Sequence, residues 1–166
     1  MNLLSKKSYK DKEQMLIAES ISLRVFAKFG ENPQQVREKL LKLIPFDLEK
    51  EKIALNRKRT MGFNQEEITI FELKLKKKKH TNIFLELLKN NLSSESKNQL
   101  IETLEKRIDN ECNFFLRLNK SKLIYNDQYE LENFNGDCFH IKIDIAVFPK
   151  RKDNAIEEIR TFFAIK

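Results

Sequence analysis

Glycine, proline, cysteine, histidine and tryptophan are all scarce in this chain of 166 residues. The sequence holds three glycines, three prolines, two cysteines, two histidines and no tryptophan. Three glycines are too few for a glycine-rich phosphate loop, which excludes the common nucleotide-binding loops. No stretch approaches the ~20 apolar residues that cross a bilayer, and residues 1–7 lack the apolar core of a signal peptide. We therefore expect a cytoplasmic protein with no membrane partner.

The cysteines and histidines show no spacing typical of a metal site. Cys112 and Cys138 stand in or beside strand-like segments, which favours buried, reduced thiols, although their spacing leaves a disulfide open. His80 follows four lysines and is expected on a solvated loop, whereas His140 is expected on the polar face of a strand. The sequence therefore predicts no metal and no cofactor.

Positive charge is in excess. Lysine and arginine number 32 against 25 aspartates and glutamates, and the formal net charge is +7. This excess favours nucleic acid or another polyanion as the partner. Apolar residues make up 40% of the chain, which is enough to form one core in a domain of this length.

Apolar and polar residues alternate in four clear segments. Lysine or arginine stands on the polar side of each one, at residues 21–28, 71–76, 114–118 and 139–145. A period of two predicts β-strands, and a single polar side predicts a sheet that is covered on one face only. A sheet with an uncovered basic face suggests an anionic partner, and RNA is the leading candidate.

The element order predicts the fold class. Strands are expected at about residues 19–29, 50–60, 67–76, 112–118 and 138–148. Helices are expected after Asn32-Pro33, around residues 83–88, after Ser93-Ser94 and over residues 156–163, while residues 119–132 show no clear period and 133–137 give a turn signal. This order predicts an α+β fold, with a mainly antiparallel five-stranded sheet and helices packed on one face. Residues 1–18 are interpreted as a loose N-terminal extension and residues 19–166 as a single domain.

Basic side chains fall on the predicted non-core side of every strand. They are Arg24, Lys28, Arg57, Arg59, Lys74, Lys76, Arg117 and Lys142. Cations at this spacing neutralise several phosphates at once, and Phe26, Ile70, Phe115 and Phe148 offer surfaces on which bases stack. The alternative is a plain solvated face, because lysine on an exposed sheet discourages aggregation.

Two further basic clusters lie outside this pattern. Residues 74–79 carry five lysines at a strand end, and Lys150, Arg151 and Lys152 precede the last helix. Backbone donors at a helix N-terminus favour anions, so Lys150 and Arg151 are candidate phosphate contacts. For both clusters a solvated surface without function is the alternative.

Two carboxylates provide a weak case for an enzyme. Glu72 and Asp144 are expected on the polar face of the sheet, where a pair of carboxylates can act as acid and base. Cross-strand ion pairs with neighbouring lysines or arginines are the simpler interpretation. A nucleotide or RNA hydrolase therefore stays an alternative, as does a protein-interaction module whose sheet face packs on a partner subunit, a dimer included.

Several segments carry a resemblance to a known family. They are residues 22–27, 43–45, the Gly62 turn with 68–72, residues 115–120 and residues 141–151. Together they resemble a family of small archaeal proteins described as predicted exosome subunits or RNA-binding proteins. The family usually shows Arg-x-Asp-Lys-Gln at 117–121, where this chain has Asn119 and Ser121. The family also tends to carry a second glycine and a histidine after Gly62, where this chain has Phe63, Asn64 and Gln65.

This resemblance implies a fold similar to that of the large-subunit ribosomal protein that binds 5S RNA. It also implies non-catalytic RNA binding, with a link to the exosome, RNA processing or ribosome biogenesis. Arg117 and Lys120 are the first candidates for RNA contacts, because they lie in the most specific segment.

Overall fold

Five strands and six helices make up the part of the chain that the computed structural model describes, which is residues 16, 18–132 and 136–164. In chain order they are β1 (Ala18–Ala27), α1 (Pro33–Lys42), β2 (Asn56–Met61), β3 (Glu67–Leu75), α2 (Lys78–Asn91), α3 (Ser94–Glu102), α4 (Leu104–Arg107), β4 (Asn113–Asn119), α5 (Lys120–Asn126), β5 (Cys138–Ile145) and α6 (Lys152–Phe163).

All five strands form one sheet in the order β2-β3-β1-β5-β4, and every neighbouring pair is antiparallel. The predicted fold class is confirmed: the chain is a single α+β domain with a five-stranded antiparallel sheet. The helices pack on one face of that sheet, and β1 lies at its centre. The two outer strands are β2 and β4.

The core lies between the sheet and the helices, because alternate strand residues point toward the helix layer. In β1, Ile21, Leu23 and Val25 are all buried, while the residues between them are exposed or half-buried. Phe84 and Leu88 of α2 are fully buried in the same core. The alternation that predicted a sheet with one covered face is therefore confirmed for the central strands.

Two predicted helix caps are present. The Asn32 side chain accepts a hydrogen bond from the backbone N–H of Gln34, and Pro33 is the first helical residue of α1. The Ser93 hydroxyl accepts from the backbone N–H of Ser96 at the start of α3. Each cap satisfies a helix N–H that has no intrahelical partner.

Some boundaries differ from the prediction. Strand β2 begins at Asn56, not near residue 50, because the side chains of Ile53 and Leu55 pack onto the core from a loop. Strand β5 ends at Ile145, three residues before the predicted end. The segment 119–132, which showed no clear period, contains the short helix α5.

Parts of two predictions fall outside the described residues. Most of the predicted extension, residues 1–15 and 17, is one part, and residues 133–135 of the predicted turn are the other. Leu16 is buried and Ala18 already belongs to β1. The division between extension and domain stays a prediction. Across 16, 18–132 and 136–164, we find no helix long and apolar enough to cross a membrane.

Candidate nucleic-acid interface

The sheet face opposite the helices is uncovered, and its side chains form three rows that run across the strands. We call this surface the open face. The first row is Lys74, Ser22, Lys142 and Phe115; the second is Asn56, Glu72, Arg24, His140 and Arg117; the third is Lys58, Ile70 and Phe26. The second row reaches across all five strands. The face on which the RNA prediction depends is therefore present as a continuous surface.

A shallow groove of about 710 Å³ follows the first two rows. It runs from Asn56 on β2 to Arg117 on β4 and is lined by both charged and aromatic side chains. Because the groove extends across the whole sheet, it has the shape for an elongated ligand more than for a small molecule.

Four exposed cations on the open face form no ion pair with a carboxylate among the described residues. They are Lys58, Lys74, Lys142 and Arg117, and of these Lys142 lies close enough to the half-buried Asp109 to help lower the pKa of that carboxyl. In contrast, Arg24 lies 3.9 Å from the Glu72 carboxylate, in a half-exposed cross-strand pair. This pair agrees with the interpretation of Glu72 as a member of a cross-strand ion pair and not as a catalytic carboxylate. The four cations without an ion pair remain available for an anionic ligand.

Aromatic rings stand between these cations. Phe115 is 41% exposed on the outer strand β4, and Phe26 is half-buried on β1. The Arg24 guanidinium lies 5.4 Å from the centre of the Phe26 ring, within range of a cation–π contact. The His140 ring meets Phe26 edge-on at 5.7 Å. Phe148 is almost fully exposed, but it lies beyond β5 and outside the three rows.

His140 lies in the second row between Arg24 and Arg117, on the polar face of its strand as the sequence predicted. Burial lowers the pKa of its imidazole below the ordinary 6.5, and the positive charges of Arg24 and Arg117 lower it further. Its Nε2 lies 3.5 Å from the Cys138 sulfur.

Both cysteines, Cys112 and Cys138, are free and buried, as predicted, and burial raises the pKa of each thiol.

Lys28 and Lys76 lie at the ends of strands. The Lys28 ammonium is 2.5 Å from the Asp137 carboxylate, and this contact raises the pKa of Lys28. Lys76 follows the last residue of β3 and is exposed. Lys76 extends the positive charge of the open face beyond its three rows, whereas the charge of Lys28 is balanced by Asp137.

Arg57 and Arg59 lie on the opposite side of the sheet from the predicted one. Arg57 pairs with Phe71, whose side chain is in the core, and its guanidinium lies 5.8 Å from the centre of that ring. Arg59 is 3.4 Å from the Glu67 carboxylate. The prediction that these arginines share a face with Arg24 is wrong. Lys58, which the sequence analysis did not select, lies on the open face in their place.

Lys120 is buried, so its place in the structure differs from that of Arg117. Its ammonium donates to the backbone carbonyl of Phe26 at 2.6 Å and to the Glu31 carboxylate at 2.7 Å. These partners satisfy most of its hydrogen-bonding capacity. We therefore assign Lys120 to the support of the open face and leave it out of the proposed contact surface.

His80 is also buried, and the prediction of a solvated loop is wrong. It lies in the first turn of α2, stacks on Phe46 with ring centres 4.5 Å apart, and its Nε2 is 3.1 Å from the Glu51 carboxylate. His80, Phe84 and Leu88 follow one another at spacings of four residues and lie on the same, buried side of α2. This helical spacing could have predicted the burial of His80 from the sequence.

The carboxylates predicted for an enzyme do not meet. Glu72 and Asp144 lie on strands two positions apart in the sheet and four residues apart along them, which separates them by roughly 16 Å. Asp144 instead contacts Lys150 at 3.2 Å, and Arg151 contacts Asp153 at 2.6 Å. Over the described ranges, no three His, Cys, Asp or Glu side chains cluster closely enough to hold a metal ion.

The fold and the open face together define a small α+β protein with a one-sided, basic and partly aromatic sheet. A protein-family model described as RNA binding matches residues 20–147, which contain all five strands except the first two residues of β1. The chain belongs to this RNA-binding family.

One curated protein and two solved structures are similar to this chain. An RNA-binding protein of Pyrococcus abyssi is 27% identical over 145 residues, which are 87% of this chain and 93% of that protein. A DUF54 protein from Methanothermobacter thermautotrophicus has a similar structure, with a TM-score of 0.72, 26% identity and coverage of 89% and 98% of the two chains. A second DUF54 structure, from Archaeglobus fulgidus, gives a TM-score of 0.74 at 22% identity, over 87% of this chain and 99% of that one.

Proposed function

We propose that this protein binds RNA without catalysis, through the open face of its sheet. One observation carries the proposal: the exposed cations Lys58, Lys74, Lys142 and Arg117 lie on this face and form no ion pair with a carboxylate in the described part of the chain. Family membership over residues 20–147 and the name of the Pyrococcus abyssi relative support RNA as the anion.

The arrangement suits phosphate neutralisation more than a chemical reaction. These cations are spread over β2, β3, β5 and β4, so they match the repeated charges of a nucleic-acid backbone. Glu72 and Asp144 lie too far apart to act together as acid and base. These features favour binding over hydrolysis.

Salt dependence of binding tests the proposal. Affinity for fluorescently labelled single-stranded and double-stranded RNA is measured by anisotropy, over about 50 to 200 mM salt. We expect affinity to fall steeply with salt. The double variant Lys74→Gln/Lys142→Gln should bind weakly and show a shallower salt slope, by about one to two units.

A matched control carries the same charge change on the helix layer. The double variant Lys97→Gln/Lys106→Gln, on α3 and α4, should retain the wild-type affinity and slope. Absence of RNA binding at low salt would refute the proposal. Equal losses in both double variants would show that net charge alone matters, and would refute the assignment to the open face.

A finer role rests on the family resemblance. We propose that the protein acts in the cytoplasm of an archaeon, in RNA processing with the exosome or in ribosome biogenesis, and that its fold is related to the 5S-RNA-binding ribosomal protein. Sequencing RNA that co-purifies with the native protein tests this role, because ribosomal precursors or exosome substrates should be enriched. A homodimer or a partner protein covering the open face in solution would favour the protein-interaction alternative.

A further inference from the structure

We propose that the RNA held by the open face is single-stranded, and that it crosses the sheet diagonally from Phe115 to Phe26. This inference rests on the proposed function and specifies its ligand class. It depends on where the rings lie relative to the free cations. A surface that only attracts phosphates would need no exposed aromatic side chains.

Phe115 provides the first stacking surface. It is the more exposed of the two phenylalanines in the rows of the open face, with 41% of its surface accessible. Such an exposed position on β4 could equally carry a polar residue. Lys142 is its direct cross-strand partner, and Arg117 lies two residues further along the same strand and on the same face. A base stacked on Phe115 would therefore have a cation on either side for its phosphates.

Phe26 provides the second stacking surface. It lies in the third row on β1, two strands and four residues away from Phe115, at a distance of roughly 16 Å. The Arg24 guanidinium over its ring and the edge of His140 fix its orientation. The Lys120 ammonium also donates a hydrogen bond to the Phe26 carbonyl at 2.6 Å.

The second row bridges the two rings. Arg24, His140 and Arg117 lie between Phe115 and Phe26, so a backbone that joins two stacked bases passes over them. The span matches a few nucleotides of an extended strand. In a duplex the bases are already stacked and paired, and they cannot reach either phenylalanine. The combination of rings and cations therefore selects a single strand.

Paired substitutions separate stacking from charge. Phe115→Leu keeps an apolar side chain but removes the ring, whereas Phe115→Tyr keeps the ring. We expect Phe115→Leu to weaken binding of an unstructured single-stranded oligonucleotide about tenfold, and Phe115→Tyr to retain most of the affinity. Tyr125→Leu removes an exposed ring on α5, which packs against α1, and should leave the affinity unchanged.

The absence of tryptophan from the sequence allows a direct readout of stacking. Phe115→Trp creates a protein with one tryptophan, and its fluorescence should be quenched when a base stacks on the indole. Tyr125→Trp gives a matched reporter on α5, where the same RNA should cause little quenching. Melting temperature of each variant confirms that the fold is retained.

The outcomes distinguish this inference from the proposed function. Tighter binding of the single strand than of a blunt duplex of equal length, with loss on Phe115→Leu and quenching at position 115, would support the inference. Equal or tighter duplex binding that Phe115→Leu leaves unchanged would overturn it, while RNA binding by the open face would stand. No binding of either RNA would overturn both.

Discussion

The ammonium of Lys120 and the carboxylate of Glu31 form a largely buried ion pair with an N–O distance of 2.7 Å. The same ammonium donates to the Phe26 carbonyl at 2.6 Å. Through these two contacts, the first residue of α5 is joined to the end of β1 and to the loop before α1. One lysine thus fixes the edge of the surface on which we place RNA, without facing that surface.

Lys120→Met should therefore lower stability and leave RNA affinity unchanged. The substitution keeps most of the buried aliphatic chain but removes the ammonium donor of the Phe26 carbonyl and leaves the Glu31 carboxylate with the Lys28 backbone N–H, at a cost of about 1–3 kcal/mol. Urea denaturation measures the free energy of unfolding, and anisotropy measures the affinity of the folded variant. A large loss of affinity at unchanged stability would return Lys120 to the contact surface.

Arg117→Ala should weaken RNA binding and reduce the salt slope by about one unit, because one phosphate contact is lost. Arg57→Ala is the matched control, since Arg57 is also an exposed strand arginine but lies on the helix side of the sheet. Its affinity and slope should equal those of the wild type. If Arg57→Ala has the larger effect, the interface is on the other face.

His140 predicts a pH dependence of RNA binding. Burial and the neighbouring Arg24 and Arg117 lower the pKa of its imidazole below 6.5, so the free protein holds it neutral at pH 7. A phosphate near the second row would raise that pKa again. Affinity should therefore rise as pH falls below 6.5, and His140→Gln should remove this rise.

The same shift has a consequence for stability. Because the pKa of folded His140 lies below the unfolded value, the unfolded chain takes up the proton first as pH falls. The stability linked to neutral His140 is present above pH 6.5 and is lost as pH falls through the lowered pKa. Thermal melts of wild type and His140→Gln across this range should converge toward the acidic end.

His80→Ala should destabilise the fold by about 2–3 kcal/mol, because it opens a cavity against Phe46 in the core.

Glu51, the partner of His80, adds a pH dependence to stability. The hydrogen bond from His80 lowers the pKa of the Glu51 carboxyl below 4.5, so its stabilisation is present above pH 4.5 and is lost as pH falls through the lowered value. The difference in unfolding free energy between wild type and Glu51→Gln should shrink over that range.

The central strands could be predicted from the sequence because burial on one side imposes a period of two on them. Residues of β1 such as Ile21, Leu23 and Val25 carry this signal directly. It also gave the correct face for Arg24, Lys142 and Arg117. The helix caps at Asn32 and Ser93 were predictable because their side chains act on residues only two or three positions away.

The outer strand β2 could not be oriented in the same way. All six of its residues, Asn56 to Met61, are exposed, so no apolar alternation marks which side faces the helices. Its register depends instead on the turn at residues 62–66, where the Gly62 N–H donates to the Glu66 carbonyl. A turn longer or shorter by one residue would shift the register of β2 and exchange the sides of the sheet on which Arg57 and Lys58 lie.

The burial of polar residues also could not be predicted from the sequence. Lys120 is held by the Phe26 carbonyl and by Glu31, which lie about 90 residues earlier in the chain, so no local pattern identifies it. Short-range patterns describe only partners on the same element. The element that contains Lys120, α5, has seven residues, which is too short for a clear helical period.

The position of β1 at the centre of the sheet has a kinetic consequence. Its first neighbour β3 follows after α1 and β2, but its second neighbour β5 is the last of the five strands, and Ser22 pairs with Lys142. Contacts between residues so distant in sequence close slowly, because the loop entropy is lost before the contact is gained. During synthesis, the edge of β1 that faces β5 therefore stays unpaired until β5 has left the ribosome. The strand that carries Arg24 and Phe26 gains its second neighbour only then.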